Sequence, residues 1–157
     1  MERREFFSLA VSSLASLAAA CGAPPNGDMQ VIDRPEGRVV HWEKDDLVVL
    51  VSGAEARYAP GQTIKLNIVV NNQGGKLVQA RVRTKLLGRG MQSVVEAPVT
   101  TLSVAPEAAG TMDRELAVPS DLTPGEYTLQ IELPPWTVGE TNRTTGGGRL
   151  ALPIRVG

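Results

Sequence analysis

From Val39 onward the chain alternates apolar and polar side chains with a period of two, and proline or glycine breaks the alternation at short intervals. Ile64, Leu66, Ile68 and Val70 form one such set, and Val78, Ala80, Val82, Thr84 and Leu86 a second. Leu116 and Val118, then Tyr127, Leu129, Ile131 and Leu133, then Leu150, Leu152, Ile154 and Val156 repeat it. On a strand, residues two apart share a face, so each apolar set is buried only if a second sheet covers it. Leu47 to Val51 is continuously apolar, as in a strand covered on both faces. Residues 39 to 42 and 99 to 104 carry weaker strand signals, and no 3.6-residue period appears beyond the first 20 residues. The expectation is an all-β protein, an antiparallel sandwich of seven to eight strands over residues 39–157.

Composition closes off several chemistries. The 157 residues carry 16 Lys plus Arg against 17 Asp plus Glu, which lacks the cationic excess that neutralising nucleic-acid phosphates requires. No nucleic-acid partner is expected. One Cys forbids an internal disulfide, and one Cys with one His cannot build the usual four-ligand zinc cage. No cofactor or metal is expected either.

The single cysteine has a particular address. Residues 1–20 have a charged start, Met1-Glu2-Arg3-Arg4-Glu5, and an apolar run from Phe6 to Ala20, 15 residues against the roughly 20 needed to cross a bilayer. The run ends in Ser16-Leu17-Ala18-Ala19-Ala20-Cys21-Gly22, which resembles the lipobox of bacterial lipoproteins. The resemblance implies cleavage before Cys21, a diacylglycerol thioether on its sulfur, and a chain lipid-anchored to a membrane on its extracytoplasmic side. Arg3-Arg4-Glu5-Phe6-Phe7 is also similar to a twin-arginine export signal, while a plain Sec signal with two cations fits the same residues. Residues 21–38 follow as a lipidated Cys and a disordered tether, rich in Pro, Gly and acidic residues; 17 flexible residues would span roughly 23 Å.

Within the alternating region, Asp46-Leu47-Val48-Val49, Tyr58-Ala59-Pro60-Gly61-Gln62-Thr63-Ile64, Val70-Asn71-Asn72-Gln73-Gly74 and Leu122-Thr123-Pro124-Gly125-Glu126-Tyr127-Thr128-Leu129 resemble bacterial immunoglobulin-like and fibronectin-III-like modules. Among these the cell-adhesion-related domain found in bacteria is the nearest in pattern. The resemblance implies a binding, spacing or scaffolding role, and it places Tyr127 in a tyrosine corner, with the hydroxyl returning to upstream backbone.

Candidate chemistry is sparse. His41 beside Trp42 has the residue type of a general base but also fits a half-buried strand position. Ser52, Ser93, Ser103 and Ser120 lack a Gly-x-Ser-x-Gly setting, and Gly88-Arg89-Gly90 and Gly146-Gly147-Gly148 lead into no helix that would make them phosphate loops. Asp113 and Glu115 share a strand face and could pair as acid and base, yet a solvated acidic face has the same spacing. No catalytic residue is assigned, and an enzyme is not expected.

Two surfaces remain for a partner. Arg81, Arg83 and Lys85 line one strand face as a cationic row, which a neighbouring strand bearing Thr128, Gln130 and Glu132 would partly pair. The long connection from Pro134 to Gly148 holds Trp136 and Arg143, a combination suited to a contact surface if the indole projects outward; alternatively Trp136 caps the sandwich end. The functional expectation is a membrane-anchored interaction or scaffolding module, an accessory subunit of a cell-envelope complex with a protein partner. A cell-surface module binding a small molecule or glycan is the alternative.

Overall fold

The computed structural model describes residues 27–139, 143–144 and 147–157, the pair 143–144 as backbone only. The signal segment, Cys21 and the first part of the tether lie outside the described residues. Strands are numbered in chain order. One sheet contains β1 (Asp28–Arg34), β2 (Gly37–Lys44), β3 (Leu47–Ala54), β5 (Thr63–Asn72) and β9 (Ala109–Ala117), in the order β1-β2-β3-β5-β9. The other contains β4 (Arg57–Tyr58), β6 (Val78–Leu87), β7 (Ser93–Glu96), β8 (Thr100–Val104), β10 (Gly125–Leu133), β11 (Thr137–Val138), β12 (Arg143–Thr144) and β13 (Gly148–Val156). Its path runs β12-β11-β6-β10-β13-β4, with β7 and β8 on the other side of β6. All pairings are antiparallel except the short parallel contact of β13 with β4.

The alternating sets form the core between the sheets. Ile64, Leu66, Ile68 and Val70 of β5 face Val78, Ala80, Val82 and Leu86 of β6 across the layer, joined by Leu129, Ile131 and Leu133 of β10 and by Leu150, Leu152, Ile154 and Val156 of β13, all at most 4% exposed. An antiparallel immunoglobulin-like β-sandwich is therefore what the chain folds into. Asn72 closes one end: its buried amide nitrogen donates to the carbonyls of Lys76 at 2.7 Å and Val104 at 3.1 Å, and its oxygen accepts from Gly74 N–H at 3.0 Å. The last residue of β5 thus ties its strand to β8 of the opposite sheet.

Two expectations are corrected. Residues 28–38, assigned to a disordered tether, are strand β1 and the start of β2. Met29 and Val31 point inward against the core, opposite Trp42 and Val40, and Pro35-Glu36 make the turn, with Gly37 supplying a φ of 128° that suits a residue without Cβ. Two inward apolar side chains and a registered ladder order a segment whose overall composition is that of a linker. The strand count also exceeds seven to eight: thirteen segments are present among the described residues, three of them two-residue bridges. The surplus comes from the β1–β2 hairpin, from these bridges, and from the division of β7 from β8 at Pro98.

Candidate interaction surfaces

The cationic row lies on the outer face of the second sheet, where the alternation of β6 puts it. Arg81 is exposed and Arg83 and Lys85 are half-buried. Register sets Arg83 opposite Glu132 and Lys85 opposite Gln130 on β10, and Lys85 opposite Glu96 on β7. Lys85 Nζ lies 3.5 Å from Glu96 and 4.0 Å from Glu132, so one ammonium takes up both carboxylates. Arg81 stands opposite Thr101, and neither arginine makes an ion pair among the described residues. The face therefore keeps two guanidinium groups available at its centre, each able to grip a carboxylate in a bidentate fork.

The Pro134 to Gly148 connection is built differently from the outward loop considered above. Trp136 is 2% exposed and belongs to the core cluster, so an indole projecting into solvent is ruled out as a partner contact. The cause is local. Pro134 and Pro135 end the β10 ladder after the Leu133–Gly148 pair, and β11 returns the chain to β6 by pairing Val138 with Val78 and Thr137 with Gln79. Gly139 N–H then donates to the Leu77 carbonyl at 2.7 Å. Trp136, flanked by these anchors, is drawn under the sheet end. The side chain of Arg143 lies outside the described residues.

The other candidates are dispersed. Asp113 and Glu115 are exposed on the outer face of β9; Asp113 accepts from the Asn67 amide at 2.9 Å and Glu115 is opposite Lys65. His41 is half-buried on β2, between Gln30 and Leu50. Among the described residues no three His, Cys, Asp or Glu side chains come together as metal ligands. Tyr127 does form the corner: its hydroxyl donates to the Thr123 carbonyl at 2.5 Å.

Sequence reasoning missed two features. A groove of about 1070 Å³ opens at one end of the sandwich between Leu87–Val94 and Leu122–Thr128, with Arg89, Met91, Pro124 and Tyr127 in its wall. The bend that shapes it runs through Gly90 and Met91, both at positive φ (65° and 64°), and closes with Gly88 N–H on the Gln92 carbonyl at 2.9 Å. The Gly88-Arg89-Gly90 stretch was the available signal. The second feature is Arg114, which points inward from β9, is 9% exposed and donates through Nη2 to the Val82 carbonyl at 3.0 Å, while its Nε has no partner. Burial pushes its guanidinium below the ordinary arginine pKa.

No protein-family model matches the chain, and no curated protein matches it. Solved structures do. The chain is similar to the CARDB domain of the PF1109 protein from Pyrococcus furiosus, solved in complex with di-metal ions, at 20% identity over 71% of this chain and 88% of that one, with a TM-score of 0.49. It is similar to the C-terminal domain of wzt at 15% identity, covering 79% of this chain and 80% of that one at a TM-score of 0.50. A β-glucosidase from Listeria innocua, in complex with glucose, is matched at 10% identity and a TM-score of 0.51, but over only 16% of the enzyme against 71% of this chain. At such identities the likeness concerns the fold alone.

Proposed function

We propose that the chain is a membrane-anchored, non-enzymatic lipoprotein whose sandwich acts as an interaction module, an accessory or scaffolding subunit of a cell-envelope protein complex. Lipid on Cys21 holds it at the extracytoplasmic side of a membrane. The observation that carries the interaction role is the outer face of β6, where among the described residues Arg81 and Arg83 make no ion pair while Lys85 takes both neighbouring carboxylates. Such a face suits a protein partner with paired carboxylates. The position of Cys21, directly after the apolar run, supports the anchor.

One experiment addresses both parts. The full chain carrying a C-terminal tag is produced in a bacterial host of the type that reads its export signal, labelled with radioactive palmitate, and recovered from membranes with its partners. Cys21→Ser should abolish the label and release the chain from the membrane fraction. Arg81→Glu with Arg83→Glu should leave label and thermal stability unchanged and reduce partner recovery about ten-fold or more, as expected when two charge-assisted contacts become repulsive. Undiminished recovery removes this face from the proposal; a label retained by Cys21→Ser removes the anchor.

The end groove favours a second reading, a cell-surface module for a small molecule or glycan. Stacking against sugars is limited there. Trp42, Tyr58 and Trp136 are buried, and among the described residues Tyr127 is the one aromatic in the groove wall.

A further inference from the structure

We infer that β1 is a self-association edge: two copies of the chain pair β1 with β1 antiparallel, joining their five-stranded sheets into one ten-stranded sheet. An unpaired strand at a sheet edge offers a row of N–H and C=O groups to any other chain.

The described edges other than β1 are blunted. β9, the far edge of the same sheet, buries the inward charge of Arg114. β13 pairs β4 only at Arg155 and Val156; beyond that point Pro153 lacks an N–H, its carbonyl accepts from Arg38 Nη1 at 3.0 Å, and the Gly147 carbonyl accepts from Lys44 Nζ at 2.5 Å. β7 and β8 are four and five residues long and flanked by Pro98 and Pro106. β4 and β12 have two residues each.

β1 is blunted far less. Its flanking Pro35 lies in the turn to β2, and Asp33, on the parity of Met29 and Val31, is exposed and paired with Arg38 rather than buried. The strand is seven residues long, contains no proline or lysine, and carries Gln30-Val31-Ile32 at its centre, with Ile32 42% exposed. Among the described residues only β2 pairs with it.

The sequence of β1 is complementary to itself. In an antiparallel pair centred on Val31, each Asp28 stands opposite Arg34 of the other copy, so the two ends of the ladder each carry an opposite-charge pair. Gln30 meets Ile32, Met29 meets Asp33, and Val31 meets its symmetry mate. Side chains opposite one another share a face, so the inward row of each copy continues the inward row of the other. Centring on Gln30 or Ile32 instead would shorten the ladder from seven residues to five and leave Asp28 without Arg34 opposite. A two-fold axis through Val31 is also what a closed dimer requires.

The test uses the full chain in membranes, with a thiol placed at the dyad by Val31→Cys and a short bis-maleimide as cross-linker. A covalent dimer should form in Val31→Cys, be absent from the unsubstituted chain, and be at least about five-fold weaker in Asp113→Cys on the outer face of β9, which reports random collision. Adding Asp28→Arg should lower the dimer yield about five-fold by setting like charges opposite one another. Adding Asp28→Arg with Arg34→Asp should restore it. Ile32→Cys, at an exposed position that leaves the core intact, repeats the assay if Val31→Cys accumulates poorly. Equal yields at positions 31 or 32 and 113, or a charge exchange that fails to restore what the single reversal removed, would overturn the inference.

Discussion

Gly148 has no side chain because the Trp42 ring occupies the place of one. A Cβ there would lie 2.3 Å from Cη2 and 2.5 Å from Cζ2 of the indole, which is itself fully buried and has no room to retreat. Gly148→Ala should therefore destabilise the fold by about 1–3 kcal/mol, seen as a fall of roughly 3–10 °C in a thermal melt followed by circular dichroism. In a Trp42→Leu background the same alanine should cost much less, since the colliding ring is gone. Tyr58 supplies a second expectation, in pH. Burial chiefly, with the Glu55 carboxylate adding to it, raises its phenol above the ordinary value of 10.0, against the opposing hydrogen bond that it accepts from Glu55 N–H and the Arg38 charge. The folded state then holds its proton where the unfolded state has lost it, so stability is complete below pH 10 and falls as pH rises beyond that. Denaturant midpoints between pH 8 and 11 should show this alkaline loss, and Tyr58→Phe should flatten it. At this scale the sequence was informative in one case and silent in the other. The tyrosine corner at Tyr127 was legible because the Leu122 to Leu129 stretch carries its pattern; the contact of Trp42 with Gly148 was not, because it joins residues from different sheets and nothing local marks it.

Strand parity accounts for most of what could be read at the level of elements. Leu116 and Val118 face inward, and Asp113 with Glu115 outward; the same count places Met112 and Arg114 inside, so the buried guanidinium follows from a pattern already present. Hydropathy alone hides it. Replacing a buried charge by an apolar side chain of similar volume is often neutral or stabilising, and Arg114→Met gives up a single bond to the Val82 carbonyl. Arg114→Met should thus keep or raise the melting temperature, while static light scattering at high concentration should show increased association, because β9 loses the inward charge that keeps its edge unpaired. A melting temperature lowered by more than about 5 °C would mean that the guanidinium bond stabilises the sandwich. Trp136 illustrates the converse limit. Two prolines, four glycines and four threonines between Pro134 and Gly148 resemble a free loop in sequence, and only the return of β11 to Val78 shows that the indole is turned under the sheet.

For the molecule as a whole, the alternation fixed the sandwich correctly and misplaced where it begins. Pro35, Gly37 and the acidic residues of 28–38 dominate the composition of that stretch, whereas its apolar packing rests on Met29 and Val31, held in register by the ladder with β2. Trimming the chain to begin at Val39 should remove the whole of β1, the hairpin partner of β2, expose Val40 and the edge of Trp42, and lower stability by several kcal/mol relative to a chain beginning at Gly22. Chemical denaturation of the two proteins would decide it; equal midpoints would return β1 to the role of a tether. The early start of β1 also shortens the leash. From Cys21 to Asp28 there are seven peptide steps, a reach of about 25 Å at full extension. An acyl group on that cysteine would confine the domain to a shallow film of water over the lipid, where copies meet by drifting laterally. In so thin a layer even a feeble affinity between neighbours becomes a populated state.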